Sequence, residues 1–163
     1  MLVPLSFDSL DMQLRTSREQ ELLAMNEELR GHNLALTRQD ASDLLASRGR
    51  ALKNQGRVEL GAGVMQALLR RLAESAYITQ ENFVTMACEL YEVFHFVKNE
   101  TSDRVGDEEL LDAVMLYFEK VCGGSAELLM GKGAERIVEN FRQRRELADT
   151  QRTEEEEDWT PEE

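Results

Sequence analysis

The sequence predicts an all-α fold, a compact bundle of six or seven helices followed by a disordered acidic C-terminal tail. Three observations carry that expectation. The only prolines, Pro4 and Pro161, stand in the terminal segments, so the interior has no helix breaker except glycine. No run of six or more residues alternates apolar with polar side chains, as a half-buried strand would. Apolar residues recur three and four apart instead, in stripes punctuated by glycines. The chain divides into an extended N-terminal segment at 1–15, one helical domain at 16–146 and the tail at 147–163. A chain of this length buries roughly 70% of its unfolded surface, enough for a core without disulfides or a structural metal.

The first helix is expected to start at Thr16 or Ser17, with Glu19 and Gln20 at capping-box distance, and to stop at Gly31. Leu22, Leu23, Met25 and Leu29 give it a thin stripe, which suits an edge position. Thr37 caps the second helix with Asp40 three residues on; Ala41, Leu44, Leu45 and Leu52 line its face, and Gly56 is its left-handed stop. From Glu59 to about Ser75, Leu60, Val64, Leu68 and Leu72 recur at four-residue spacing, widened by Met65 and Leu69.

Thr79 is read as the cap of the next helix, to Asn99, which buries Phe83, Met86, Ala87, Leu90, Phe94 and Val97. A second face carries Val84, Cys88, Tyr91 and His95. A helix apolar on more than one face needs neighbours all round, so this one belongs at the centre. Asp107 caps a further helix behind Gly106, with Leu110, Leu111, Val114, Phe118 and Val121 inward and Gly123 and Gly124 at its end. Ser125 opens a short helix closed by Gly131. The last begins near Ala134, buries Ile137, Val138 and Phe141, and frays through Arg142, Arg144 and Arg145. Five consecutive acidic residues, Glu154 to Asp158, repel one another and predict disorder beyond it.

The net charge is −13, and the last ten residues carry seven acidic and no basic side chains, which leaves −6 for the other 153. So mildly acidic a body argues against nucleic acid as a partner, because phosphate contacts need a cationic face. The N-terminus meets Asp8 with no basic stretch before it, unlike a secretory signal, and the apolar stretches hold too many charges for a membrane span. A cytoplasmic location is expected, with Cys88 and Cys122 as free thiols in apolar helices.

Four patterns could carry chemistry. Glu92 and His95 form a Glu-x-x-His on one helix, the spacing of carboxylate-bridged di-metal bundles, and Glu89 lies one turn before Glu92. Such sites need the motif twice, and the other histidine, His32, has Leu29 three residues before it. No metal or other cofactor is therefore expected, with Glu89, Glu92 and His95 kept as weak candidates. The glycines of Gly56-Arg57-Val58-Glu59-Leu60-Gly61-Ala62-Gly63 lack the Gly-Lys-Ser/Thr ending of a phosphate loop, and Gly61 and Gly63 read as close-packing residues. Arg48, Arg50, Lys53 and Arg57 form a basic run that suits a helix C-terminus, or else docks an acidic partner. Cys88 and His95 are seven apart on one helix, about 10 Å along its axis, too far for thiol activation.

The strings ALKNQGRVELGAGV, YITQENFVTMACELYEVFHFVKNE, DEELLDAV and CGGSAELLMG resemble a family of short bacterial proteins with no assigned function. The resemblance spans about residues 36–141 and implies a free-standing bacterial domain, with no activity or ligand attached. The leading expectation is a protein-interaction or regulatory module without catalysis, whose partner is another protein or a second copy of the chain. The alternative is a small helical metal- or ligand-binding protein or enzyme using Glu89, Glu92 and His95.

Overall fold

The computed structural model describes residues 7–59 and 63–158, and among these there is no strand. In chain order the helices are α1 (Phe7–Ala24), the single turn α2 (Asn26–Leu29), α3 (Arg38–Asn54), α4 (Gly63–Ala73), α5 (Phe83–Glu100), α6 (Asp107–Leu116), the single turn α7 (Ala126–Leu128) and α8 (Ala134–Asp158). Six of them have ten or more residues, so the all-α expectation holds. No described helix is long and apolar enough to cross a membrane.

α5 is the centre of the bundle and packs against α3, α4, α6 and α8. Phe83, Ala87, Leu90, Phe94 and Val97 are fully buried on it, as the stripe requires, and Tyr91 and His95 are buried too. Around it, Leu44 of α3, Met65, Leu68, Leu69 and Leu72 of α4, Leu110 and Val114 of α6 and Ile137 of α8 complete one continuous core. Cys122 is buried and Cys88 half-buried; both are free thiols, each pushed up in pKa chiefly by burial.

Local chemistry sets the ends of α3. Thr37 Oγ1 accepts from Asp40 N at 3.0 Å while Asp40 Oδ2 accepts from Thr37 N at 2.8 Å, a reciprocal capping box. At the other end Gly56 takes φ +64°, Gly56 N donates to Lys53 O and Arg57 N donates to Leu52 O. That paired closure is a Schellman stop, which a side chain at position 56 would strain. Gly124 answers to two constraints at once. Its φ is +82°, and a Cβ there would overlap the Tyr77 ring.

Several boundaries differ from the sequence expectation. The stretch read as an extended segment at 1–15 is helical from Phe7 onward, residues 1–6 lying outside the described part. Thr16 is then mid-helix, where its hydroxyl donates to Met12 O at 2.9 Å instead of capping. The left-handed residue that closes the first helical run is Asn33, φ 59°, and not Gly31. α5 starts behind Asn82, not Thr79; Asn82 Oδ1 accepts from Thr79 N at 2.7 Å and Nδ2 donates to Tyr77 O at 2.9 Å.

After Leu116 the helix changes to π over Tyr117–Val121, and a second π segment follows at Leu129–Gly133. A π turn adds a residue to the register, so a stripe projected at 3.6 residues per turn goes astray. Phe118 stays buried, but Leu116 and Val121 are 56% and 52% exposed. The expected inward position of Val121 is thus corrected. α8 does not fray at Arg145 and continues to Asp158, so the expected disorder from 147 is not what the described backbone shows; residues 159–163 lie outside it.

Candidate functional site

The Schellman stop turns the chain out of α3 and back across α5, and Asn99 fastens it there. Asn99 Nδ2 donates to Gln55 O at 3.1 Å and to Gln55 Oε1 at 2.7 Å, while Arg57 Nε donates to Asn99 Oδ1. Arg57 is also paired with Asp103. Glu59, two residues on, is thereby delivered between α3 and α5.

There it meets three polar side chains that the core encloses: Arg48 (4% exposed), Tyr91 (0%) and His95 (2%). Tyr91 OH donates to Glu59 Oε2 at 2.7 Å. His95 Nε2 stands 3.6 Å from the same oxygen, just beyond a formed hydrogen bond, and neither ring nitrogen of His95 has a hydrogen-bond partner. Arg48 Nη2 donates to the Glu59 carbonyl at 2.8 Å and lies 4.0 Å from Oε1. The Tyr91 and His95 rings, one turn apart on α5, meet edge to face with centroids 4.6 Å apart.

Burial works against ionisation of Glu59, but the polar contacts of His95 and Tyr91 and the charge of Arg48 outweigh it. The carboxyl is held below its ordinary value of 4.5. Burial, then the bond to Glu59, push the Tyr91 phenol far above its ordinary value of 10. The group is therefore an ionised carboxylate with a protonated phenol donating to it.

Glu59 and His95 of this cluster line a cavity of about 460 Å³ among α3, α4, α5 and α6. Leu52, Val58, Val64, Ala67 and Leu111 supply the apolar part of the lining. Besides Glu59 and His95, its polar groups are Arg57, Lys98, Asp107 and Glu108, with Lys98 Nζ 2.8 Å from Asp107 Oδ1. Ligand sites fall in this size class and have this mixture, apolar walls with a few placed polar groups.

The residues singled out in the sequence are distributed differently from expectation. His95 does meet a glutamate, but it is Glu59, thirty-six positions earlier, in place of Glu92. Glu89 and Glu92 are half-buried, and Glu92 lines a separate groove with Val93, Phe96 and Met130. Among the described residues no three or more His, Cys, Asp or Glu side chains come together in a way that could hold a metal ion. The basic run does not make one face. Arg48 is turned inward and Arg57 is committed to Asp103 and Asn99, which leaves Arg50 and Lys53 outward. Gly63 has open space where a Cβ would stand, so it is not a close-packing glycine, and Gly61 lies outside the described residues.

Glu59 as the partner of Tyr91 and His95 is what sequence reasoning missed, together with the buried guanidinium of Arg48, whose stem alone is expected to cover the core while its head stays in water. The available signal was Tyr91 and His95 one turn apart on the most apolar helix, since buried polar rings require partners from elsewhere in the chain.

Neither a curated protein nor a solved structure matches the chain. A family model described as "Family of unknown function (DUF6323)" matches residues 21–147, which include every member of the cluster, and the chain belongs to that family.

Proposed function

We propose that the protein is a small-molecule-binding module whose ligand occupies the cavity beside Glu59 and His95. One observation carries the reading: an ionised carboxylate and a buried histidine 3.6 Å from it, with no closer polar contact at either ring nitrogen, line a cavity with both apolar and charged walls. Leaving a buried polar group unsatisfied costs about 1–3 kcal/mol. A sequence that keeps such groups where apolar side chains would be more stable breaks its own packing logic, and proteins do so at functional sites. The alternative drawn from the sequence, ligand binding through His95, is the one this geometry favours, with Glu59 replacing Glu89 and Glu92. The bacterial cytoplasm is the compartment we assign, supported by the sequence resemblance and by two free thiols.

The test is chemical-shift mapping of a fragment library on the full chain. Shifts should cluster on Leu52, Ala67, Lys98 and Leu111, and Ala67→Phe, which fills the cavity from α4, should weaken the hits by about tenfold or more. Shifts scattered over the surface, or hits indifferent to Ala67→Phe, would sink the idea.

A second reading, a protein-binding face, has one observation of its own. Leu116, Val121, Leu128 and Met130, along the segment with the two π turns, are all exposed. Apolar side chains grouped in this way mark interaction surfaces when they form one patch. Sedimentation of the full chain beside a Leu116→Ser/Leu128→Ser variant tests it for a second copy. Self-association lost in the variant is the expected result, and a monomer in both cases removes the support.

A further inference from the structure

We infer that the ligand of this cavity carries a cationic nitrogen, an amine or amidine on an apolar body, with Glu59 as its counter-ion. The inference rests on the cavity reading above and adds the charge class of the ligand.

Charge accounting at the lining leads there. Two cations line the cavity, and each already has its own carboxylate: Lys98 is paired with Asp107, and Arg57 with Asp103. Neither is available to an incoming anion without breaking an ion pair. Two further carboxylates line the cavity: Glu108, and Glu59, whose oxygens lie 4.0 Å from Arg48 Nη2 and 3.6 Å from His95 Nε2, so the acidic groups of the lining outnumber Lys98 and Arg57. Glu108, in the first turn of α6, is exposed and makes no ion pair among the described residues. Glu59 has Arg48 behind it, but Arg48 does not line the cavity, and its Nη2 bonds the main-chain oxygen at 2.8 Å while standing 4.0 Å from Oε1.

From α5 the Tyr91 hydroxyl donates to Oε2 at 2.7 Å, and His95 Nε2 stands 3.6 Å from the same oxygen. A carboxylate has room for about four donors, so Glu59 can accept more from a ligand. An ammonium or amidinium supplies donors and charge together, and hydrogen bonds between charged groups are about twice as strong as neutral ones. The rest of the ligand would lie on Leu52, Val58, Val64, Ala67 and Leu111, a surface that takes hydrocarbon.

The experiment is isothermal titration calorimetry on the full chain with three probes of equal length: hexylamine, hexanoate and hexanol. Hexylamine should bind, with Kd in the range of about 0.1–10 mM that so small a molecule permits. Raising salt should weaken it, and Glu59→Gln should weaken it by about tenfold or more. Circular dichroism and a thermal melt establish that Glu59→Gln is folded. Should it not fold, Glu108→Gln at an exposed position takes its place, with a loss of about two- to fivefold expected. Hexanoate or hexanol binding as tightly as hexylamine overturns the charge class and leaves the cavity reading standing. Hexylamine binding indifferent to salt and to both substitutions also overturns it. No probe binding at about 10 mM, together with no fragment hits sensitive to Ala67→Phe, overturns the cavity reading itself.

Discussion

Replacing Phe94 with alanine is expected to lower the stability of the fold by about 3–5 kcal/mol. Phe94 is fully buried on α5, the helix that four others pack against, so no neighbour is placed to collapse into the space. Its ring also supports the site. It meets His95 edge to face at a centroid distance of 5.0 Å, and Lys98 Nζ lies 5.8 Å above it. Domains have about 5–15 kcal/mol in total, so a change of this size removes about a fifth or more of the margin. Urea denaturation followed by circular dichroism measures it directly. Leu116→Ala is the internal comparison, because Leu116 is exposed although the same periodicity places it beside buried positions, and its cost should stay within about 0.5 kcal/mol. A loss below about 1.5 kcal/mol for Phe94→Ala would mean that the core is centred elsewhere.

That contrast shows where the fold could be read from sequence. Stripes on α3, α4 and α5 are long and regular, so burial of Leu44, Leu68, Leu90 and Phe94 follows from period alone. The period fails at Tyr117–Val121, because nothing in the residue types there announces a π turn. At the two ends the error has the opposite origin. Thr16 reads as a helix start, yet its hydroxyl donates to the carbonyl four residues back, as those of Thr150 and Thr153 do in α8, and the helix continues. Beyond Arg145 like-charge repulsion argued for disorder. Good helix formers (Glu, Arg and Gln) and the Arg145–Asp149 pair one turn apart favour the helix to Asp158.

The site was legible by half. A histidine on the most buried helix is visible in sequence, and so is the glycine stop that turns the chain toward it. The partner was not, because the local pattern Glu-x-x-His draws attention to Glu92, whereas the pairing is set by how α3 crosses α5. Arg48 misled for a related reason. Its spacing from Leu44 and Leu52 is helical, four on either side, so the face that buries those leucines buries Arg48 as well. Charge alone suggested a surface run; periodicity placed its first member inside.

Arg48→Met should therefore cost about 1.5–3 kcal/mol, the loss of hydrogen bonds between a charged donor and its acceptor. Methionine keeps the apolar stem that Arg48 packs into the core, so the measurement isolates the guanidinium. Glu59 is 19% exposed at its side chain, so water can reach it, and the cost falls short of the 3–5 kcal/mol, about the most that breaking a fully buried pair exacts. The pH dependence separates electrostatics from packing. The folded Glu59 carboxyl is held below its ordinary value of 4.5, so it contributes stability that is present above that pH and lost as pH falls through the folded value. Arg48 is one cause of the depression. Without it the carboxyl titrates higher in the fold, and the deficit of Arg48→Met against the unsubstituted chain should be largest near neutral pH. Below the folded value Glu59 is protonated in both proteins, and the deficit should shrink. In a double-mutant cycle, Glu59→Gln should cost less in the Arg48→Met background than in the unsubstituted chain, because the charge it removes no longer has its partner. A deficit that stays constant as pH falls from about 7 through the acid titration of Glu59, with additive substitutions, would reduce Arg48 to a packing residue and leave the ionised state of Glu59 without its positive neighbour.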